Sequence, residues 1–298
     1  MFIKAIEEIQ KFTRPIHTIF RYYGNDFATP GTGTFFFVNE QGVAVTCRHI
    51  AENIINTNAI NERYSLIKKE RDSFGTKIDG KYKKQVAALE AKYGLIKQES
   101  IIQIRNTVMN SFDSITTIDC ITHPTLDLAI LKFKGFSRIL YTSHATFVKN
   151  SDDIKQGKYL CRYGFPFPEF NNFQYDPIKD DIEYIATGAV GTPAFPIDGI
   201  ITRHLGDGYQ IFGIEMSTAG LKGQSGGPLF DLNGFVYGMQ YATNHLHLGF
   251  DMKNKEITSD GKKIKVTNQP FLHVGHCVHV DKIKEFLTQH KISFDVQP

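Results

Sequence analysis

Gly223-Gln224-Ser225-Gly226-Gly227-Pro228-Leu229-Phe230 sets one serine among three glycines and runs straight into an apolar strand pattern. A nucleophilic serine needs such surroundings when the backbone beside it must also act. Gly223 can take backbone angles closed to other residues, so its N–H and that of Ser225 can converge on one small pocket. A pocket of that kind stabilises the oxyanion formed when a hydroxyl attacks a carbonyl. Gly226 and Gly227 leave room for a substrate strand to approach. A glycine-rich hairpin with an incidental serine is the bland alternative, and two further segments weigh against it.

Gly42-Val-Ala-Val-Thr-Cys-Arg-His-Ile50 is an apolar strand ending at His49, and His123-Pro-Thr-Leu-Asp-Leu-Ala-Ile-Leu-Lys132 places Asp127 at the mouth of another. Serine is a poor nucleophile at neutral pH and needs a base such as histidine. The imidazole in turn needs a carboxylate to fix its tautomer and stabilise its charged form. Alone, His49 reads as a structural residue and Asp127 as a turn residue. Together with Ser225 they give the chain order His, Asp, Ser, which is the chymotrypsin order.

On these motifs the chain resembles the trypsin-like serine proteases, and more closely their HtrA (Deg) branch. Further segments carry the likeness. They are Gly31-Thr-Gly-Thr-Phe-Phe-Phe-Val38 with the turn Asn39–Gly42, residues 157–167, Thr187–Thr192, Pro228–Met239, and Gly275–Leu287. The match covers roughly residues 14–50 and 100–290. It implies a mainly β, chymotrypsin-like double six-stranded β-barrel with short terminal helices. The expected division is an N-terminal helix at 1–13, a first barrel at 14–145, a second barrel with its closing helix at 146–290, and a tail at 291–298. The resemblance makes His49, Asp127 and Ser225 the triad and the N–H groups of Gly223 and Ser225 the oxyanion hole. It places the substrate pocket at Ala219, Gly220, Leu221 and Lys222 on one wall and Tyr241, Ala242 and Thr243 on the other. It calls for no cofactor and no metal. A PDZ domain, usual in HtrA proteins, is not expected here.

Hydrophobic residues make up 41% of the chain and charged residues 22%, which fits a globular protein rather than a disordered one. Two barrels of this type need about 200 residues, so 298 leave room for an added element. A net charge of +3 is too small to imply nucleic-acid binding. The cysteines at 47, 120, 161 and 277 show no metal-knuckle spacing. Secreted trypsin relatives commonly carry a Cys after the catalytic His, where this chain has Ile50. Charges scattered through the first 23 residues leave no export signal, and no stretch is long enough to span a membrane. The expected location is the cytoplasm.

Digestive trypsins are activated by a new terminus that pairs with an Asp before the nucleophile, where this chain carries Gln224. Control of the loops around the site by oligomer contacts or by ligands, as the resemblance to HtrA enzymes implies, is the expectation instead. The excess length lies at about 52–99. There Ile60, Tyr64 and Ile67, then Tyr82, Val86, Leu89, Tyr93 and Ile96, recur at helical spacing. Gly75 and Asp79-Gly80 break the two runs, which predicts an antiparallel helical hairpin projecting from the first barrel. It reads either as a packed spacer or as an arm for self-association or a regulatory protein. Phe2, Ala5, Ile6, Ile9 and Phe12 predict a small amphipathic helix at 2–12.

Ala219 stands where trypsins carry the aspartate that selects Lys or Arg, so a small or apolar P1 residue is expected. His245 and His247 lie too late for a pocket histidine. His273, His276 and His279 stand three apart, which suits neither face of a strand, and no carboxylate or cysteine set completes a metal site. The expected function is a regulated serine endopeptidase of narrow specificity. The alternatives are a catalytically silent peptide-binding module, or a sensor or scaffold acting through the helical insertion.

Overall fold

The computed structural model describes residues 2–75, 80–259 and 261–298; Asp79, read above as a helix break, lies outside them. Helix α1 (Ile3–Phe12) leads into β1 (Thr13–Tyr22), β2 (Ala28–Phe37) and β3 (Val43–Thr46). Helices α2 (Arg48–Asp72) and α3 (Gly80–Tyr93) follow, then β4 (Ile101–Val108), β5 (Thr117–Thr122) and β6 (Ala129–Lys134). These strands form one curled sheet in the order β4-β1-β2-β3-β6-β5. Helix α2 packs against both end strands, β4 and β5.

The second half contains β7 (Thr146–Phe147), β8 (Tyr159–Arg162), β9 (Phe173–Asp176), β10 (Asp181–Tyr184), β11 (Ile197–Gly206) and β12 (Ile211–Met216). It continues with β13 (Pro228–Phe230), β14 (Val236–His247), β15 (Met252–Ser259), β16 (Lys262–Asn268), β17 (Phe271–His279), α4 (Val280–Gln289) and β18 (Asp295–Val296). Strands β13-β8-β11-β12-β17-β14 form a ring, because β13 also pairs with β14. The fold is therefore the trypsin-like double barrel, with the second barrel closed by strand pairing and the first a six-stranded sheet against α2.

Strand β2 shows why the two halves stay together. Phe35, Phe36 and Phe37 are all fully buried, a run rather than an alternation, which marks a strand covered on both faces. Phe35 and Phe37 pack on Phe133, and Phe37 also on Phe112 and Tyr141. Phe36 points the other way, to Phe147 of β7. Helix α1 buries Ala5, Ile9 and Phe12, and Phe2 before it meets Phe230 of β13. The first helix thus packs on its own barrels.

The helical pair differs from its sequence-based picture in two ways. Its first helix begins at Arg48 rather than near 52, so the element carrying His49 and the added length are one continuous helix. The pair is antiparallel, with Phe74 meeting Tyr82 and Glu70 meeting Lys92 and Tyr93. It does not project freely. Asn61 accepts from the Ile104 N–H at 3.0 Å and donates to its carbonyl at 2.9 Å, and Tyr64, Ile67 and Leu89 share a small core with Ile102 of β4.

Asp180, in the turn between β9 and β10, locks this pair to the second half. Its carboxylate takes Arg21, Arg71 at 2.8 Å, Tyr64 at 2.8 Å and Tyr175 at 2.9 Å. Burial alone would raise the Asp180 pKa, but the bonds from Arg71, Tyr64, Arg21 and Tyr175 outweigh it and hold the pKa down to about 2. A carboxylate depressed in the folded state contributes stability above its unfolded pKa of about 4 and loses it as pH falls through the folded value. Unfolding midpoints should accordingly drop between pH values of about 4 and about 2, and Asp180→Asn should flatten that slope. The same variant strands Arg21 and should cost about 3–5 kcal/mol at neutral pH, measurable by chemical denaturation.

Candidate active site

His49 sits in the first turn of α2, where β3 ends, and Asp127 lies in the turn before β6, the strand paired with β3. Adjacent strands thus deliver both side chains to one edge. The imidazole Nδ1 lies 2.7 Å from Asp127 Oδ2, and the His49 backbone N–H donates to Oδ1 at 3.1 Å. His49 is held through its backbone N–H and its ring Nδ1, which leaves Nε2 for proton transfer. Ser225 comes from the loop between β12 and β13, and its Oγ donates to the Tyr241 carbonyl at 3.4 Å. Among the described residues Ser225 has no hydrogen bond to His49. Their neighbours nevertheless converge on one acceptor. The Gln240 carbonyl takes the Gly226 N–H at 2.8 Å and the Cys47 thiol at 3.3 Å.

The Ser225 loop is fixed by Thr34, a fully buried hydroxyl on β2. Thr34 Oγ1 donates to the Gly223 carbonyl at 2.8 Å and accepts from the Phe165 N–H at 3.1 Å. Its backbone N–H donates to the Ser225 carbonyl at 2.9 Å, and its own carbonyl takes Thr46 Oγ1 at 2.7 Å. Gly226 has φ +89°, and a Cβ there would lie 1.9 Å from the Thr34 carbonyl oxygen. Only glycine fits.

Gly223 has φ +100°, and neither its N–H nor that of Ser225 has a partner among the described residues. Gln224, fully buried, organises the rest of the loop. It receives the Leu221 N–H at 3.0 Å and donates to the Phe195 carbonyl at 2.8 Å.

The two expected substrate walls meet. Thr243 Oγ1 donates to the Gly220 carbonyl at 2.6 Å, and Gln240 Nε2 to the Ala242 carbonyl at 2.6 Å. Lys222 is exposed at the rim. Behind both walls lies a residue that sequence reading missed. Arg162 on β8 is fully buried and donates to Gln240 Oε1 at 2.7 Å, the Thr218 carbonyl at 2.9 Å and the Ala219 carbonyl at 3.1 Å. Its Nε is unpartnered, and no carboxylate pairs with it among the described residues. A Cβ on Gly275 would come 2.0 Å from Arg162 Nη1, so the guanidinium abuts the third strand here as well. An arginine inside the apolar run Tyr159–Tyr163 was the available signal.

The remaining histidines go separate ways. His245 meets His273 at 2.5 Å, His247 meets Asp251, His276 meets Glu215, and His279 caps α4 by accepting the Asp281 N–H. Cys47, His49 and Asp127 alone bring three potential metal-ligating atoms within 4.8 Å among the described residues. Burial pushes the Cys47 thiol well up, so it stays protonated and donates to Gln240 rather than offering a thiolate.

Thr34→Val keeps the shape and removes the hydroxyl. It should leave the Gly223 carbonyl and the Phe165 N–H unpaired, at about 1–3 kcal/mol each. The expected outcome is a folded protein with lower stability in urea and slower reaction at Ser225.

A family model for the trypsin-like peptidase domain matches residues 31–239. No curated protein matches the sequence. Among solved structures, one of the HtrA-type protease AlgW with tripeptide aligns over 98% of this chain at 15% identity and TM-score 0.45. Another, with decapeptide, aligns over 98% at 14% identity and TM-score 0.45. The chain spans 65% and 68% of the lengths of those two proteins. The family model, by contrast, takes in most of the chain, including Thr34, His49, Asp127, Arg162 and Ser225. This chain belongs to the trypsin-like peptidase domain family.

Proposed function

We propose that this protein is a serine endopeptidase working through His49, Asp127 and Ser225. The reading is carried by the two-point grip of Asp127 on His49, with the unpartnered N–H groups of Gly223 and Ser225 beside the nucleophile. Ser225 Oγ bonds to the scissile carbonyl carbon as its proton passes to His49 Nε2. Asp127 keeps the proton of Nδ1 in place and stabilises the imidazolium. The two N–H groups take the negative oxygen. Collapse of the adduct breaks the C–N bond, with His49 returning the proton to the leaving amine. Water then attacks the acyl-enzyme by the same route and regenerates Ser225.

The substrate is an extended peptide pairing with Tyr241–Thr243. Ala219 offers no counter-charge, and the Arg162 guanidinium lies behind the pocket wall. Both disfavour Lys or Arg at P1 and leave a small or apolar residue as the expected choice. The Ser225 hydroxyl turned to the Tyr241 carbonyl favours a resting state that substrate or a partner must reorganise. The four free cysteines, three of them buried, suit a reducing compartment such as the cytoplasm.

Cleavage of quenched-fluorescent peptides tests this reading. Peptides with Ala or Val at P1 should be cut in preference to those with Lys. Ser225→Ala should lower kcat about a millionfold, and Asp127→Asn about ten-thousandfold. Unchanged turnover in Ser225→Ala would overturn the proposal.

A further inference from the structure

Strand β14 is longer than the pocket needs. It pairs with β17 along its length as far as His247 opposite Phe271. On its other side it meets β13 only at Val236–Met239 and β7 only at Val236. From Tyr241 to His247, that edge has no strand partner among the described residues. An open edge is a template for another strand.

The edge continues into a ribbon made of β15 and β16, a two-stranded sheet of their own. From Lys253 to Asn268 every described residue is exposed except the half-buried Val266. A two-stranded ribbon without a packed face is marginal in water and gains stability from a partner. Ile257 lies opposite Ile264, and Lys255 opposite Val266, so one face carries an apolar stripe bordered by Lys255 and Lys262. Lys263 pairs with Glu256. Lys253, Lys255 and Lys262 have no acidic partner among the described residues, whereas Lys265 stands opposite Glu256 on the other face.

We infer that the free edge of β14 and this basic ribbon form one docking site for an extended, acidic segment of the substrate. Its direction rests on Ser225 being the nucleophile. Ser225 lies at the Tyr241 end, so a peptide antiparallel to β14 runs toward His247 with residues N-terminal to the scissile bond. Backbone bonds to the edge hold the strand in any sequence, and Lys253, Lys255 and Lys262 select carboxylates beyond it.

The test measures binding of fluorescent peptides to Ser225→Ala protein by anisotropy. One peptide carries a run of glutamates N-terminal to an Ala-Val segment, a second carries them C-terminal, and a third has glutamines in their place. The first should bind about tenfold more tightly than the others, and the advantage should shrink with added salt. Replacing Lys253, Lys255 and Lys262 with glutamine should abolish it. Equal binding of the three peptides, a preference for the C-terminal run, or an advantage that survives the lysine replacements would overturn the inference. A short unflanked peptide separates the two readings. If the enzyme with native Ser225 cuts it but charge has no effect on binding, docking fails and the peptidase stands. If it goes uncut while charged binding holds, the peptidase reading fails.

Discussion

The bonds made by Thr34 are the constraint on which the site depends. One buried residue on β2 gives its N–H to the Ser225 carbonyl, its hydroxyl to the Gly223 carbonyl, and its own carbonyl to Thr46. The Ser225 loop belongs to the second barrel, whereas Thr46 lies three residues before His49 in the first. The site therefore exists only when the two halves are docked. Phe36 and Phe147 supply the apolar side of that docking, and Thr34 supplies its register. Burial gives affinity between the halves without specifying an angle, while hydrogen bonds at fixed distances specify it.

Buried polarity elsewhere follows the same logic with more charge. Asp180 gathers Arg21, Arg71, Tyr64 and Tyr175 from three separate segments, so the helical pair, β1 and the β9–β10 turn share one carboxylate. Arg162 is the opposite case, a buried cation met by neutral carbonyls and the Gln240 amide. Its interaction with the pocket walls orders Thr218, Ala219 and Gln240 at once. Gln224 completes the pattern, holding Leu221 and Phe195 through neutral bonds. The loop before Ser225 is thus ordered by contacts from within the chain.

Much of this was legible before any coordinates. Gly226 and Gly227 were expected to make room for a substrate strand, whereas the structure gives another steric reason: a Cβ on either would strike a backbone carbonyl, of Thr34 or of Tyr163. His49 and Asp127 each ended or began an apolar run, and pairing of β3 with β6 brings those ends together. The helical periodicity of residues 60–96 was visible, but its fusion to the His49 helix was not, because Arg48–Asn58 has no clean apolar stripe. Thr34 and Arg162 were hidden for a related reason. Each is polar within an apolar strand, and only three-dimensional neighbours reveal what such a residue bonds. The ribbon at 252–268 escaped notice because its lysines interrupt the β-branched residues, and no buried face imposes an alternation.

The central claim is that Asp127, His49 and Ser225 form a working nucleophile at the seam between the barrels. Labelling with a fluorophosphonate probe tests it most directly, since the probe needs an activated serine and an oxyanion site but no cognate peptide. The account predicts labelling of Ser225 at neutral pH, absent in Ser225→Ala and strongly slowed in His49→Ala. Labelling at equal rate in His49→Ala, or none in the intact protein even with peptide bound along β14, would contradict it.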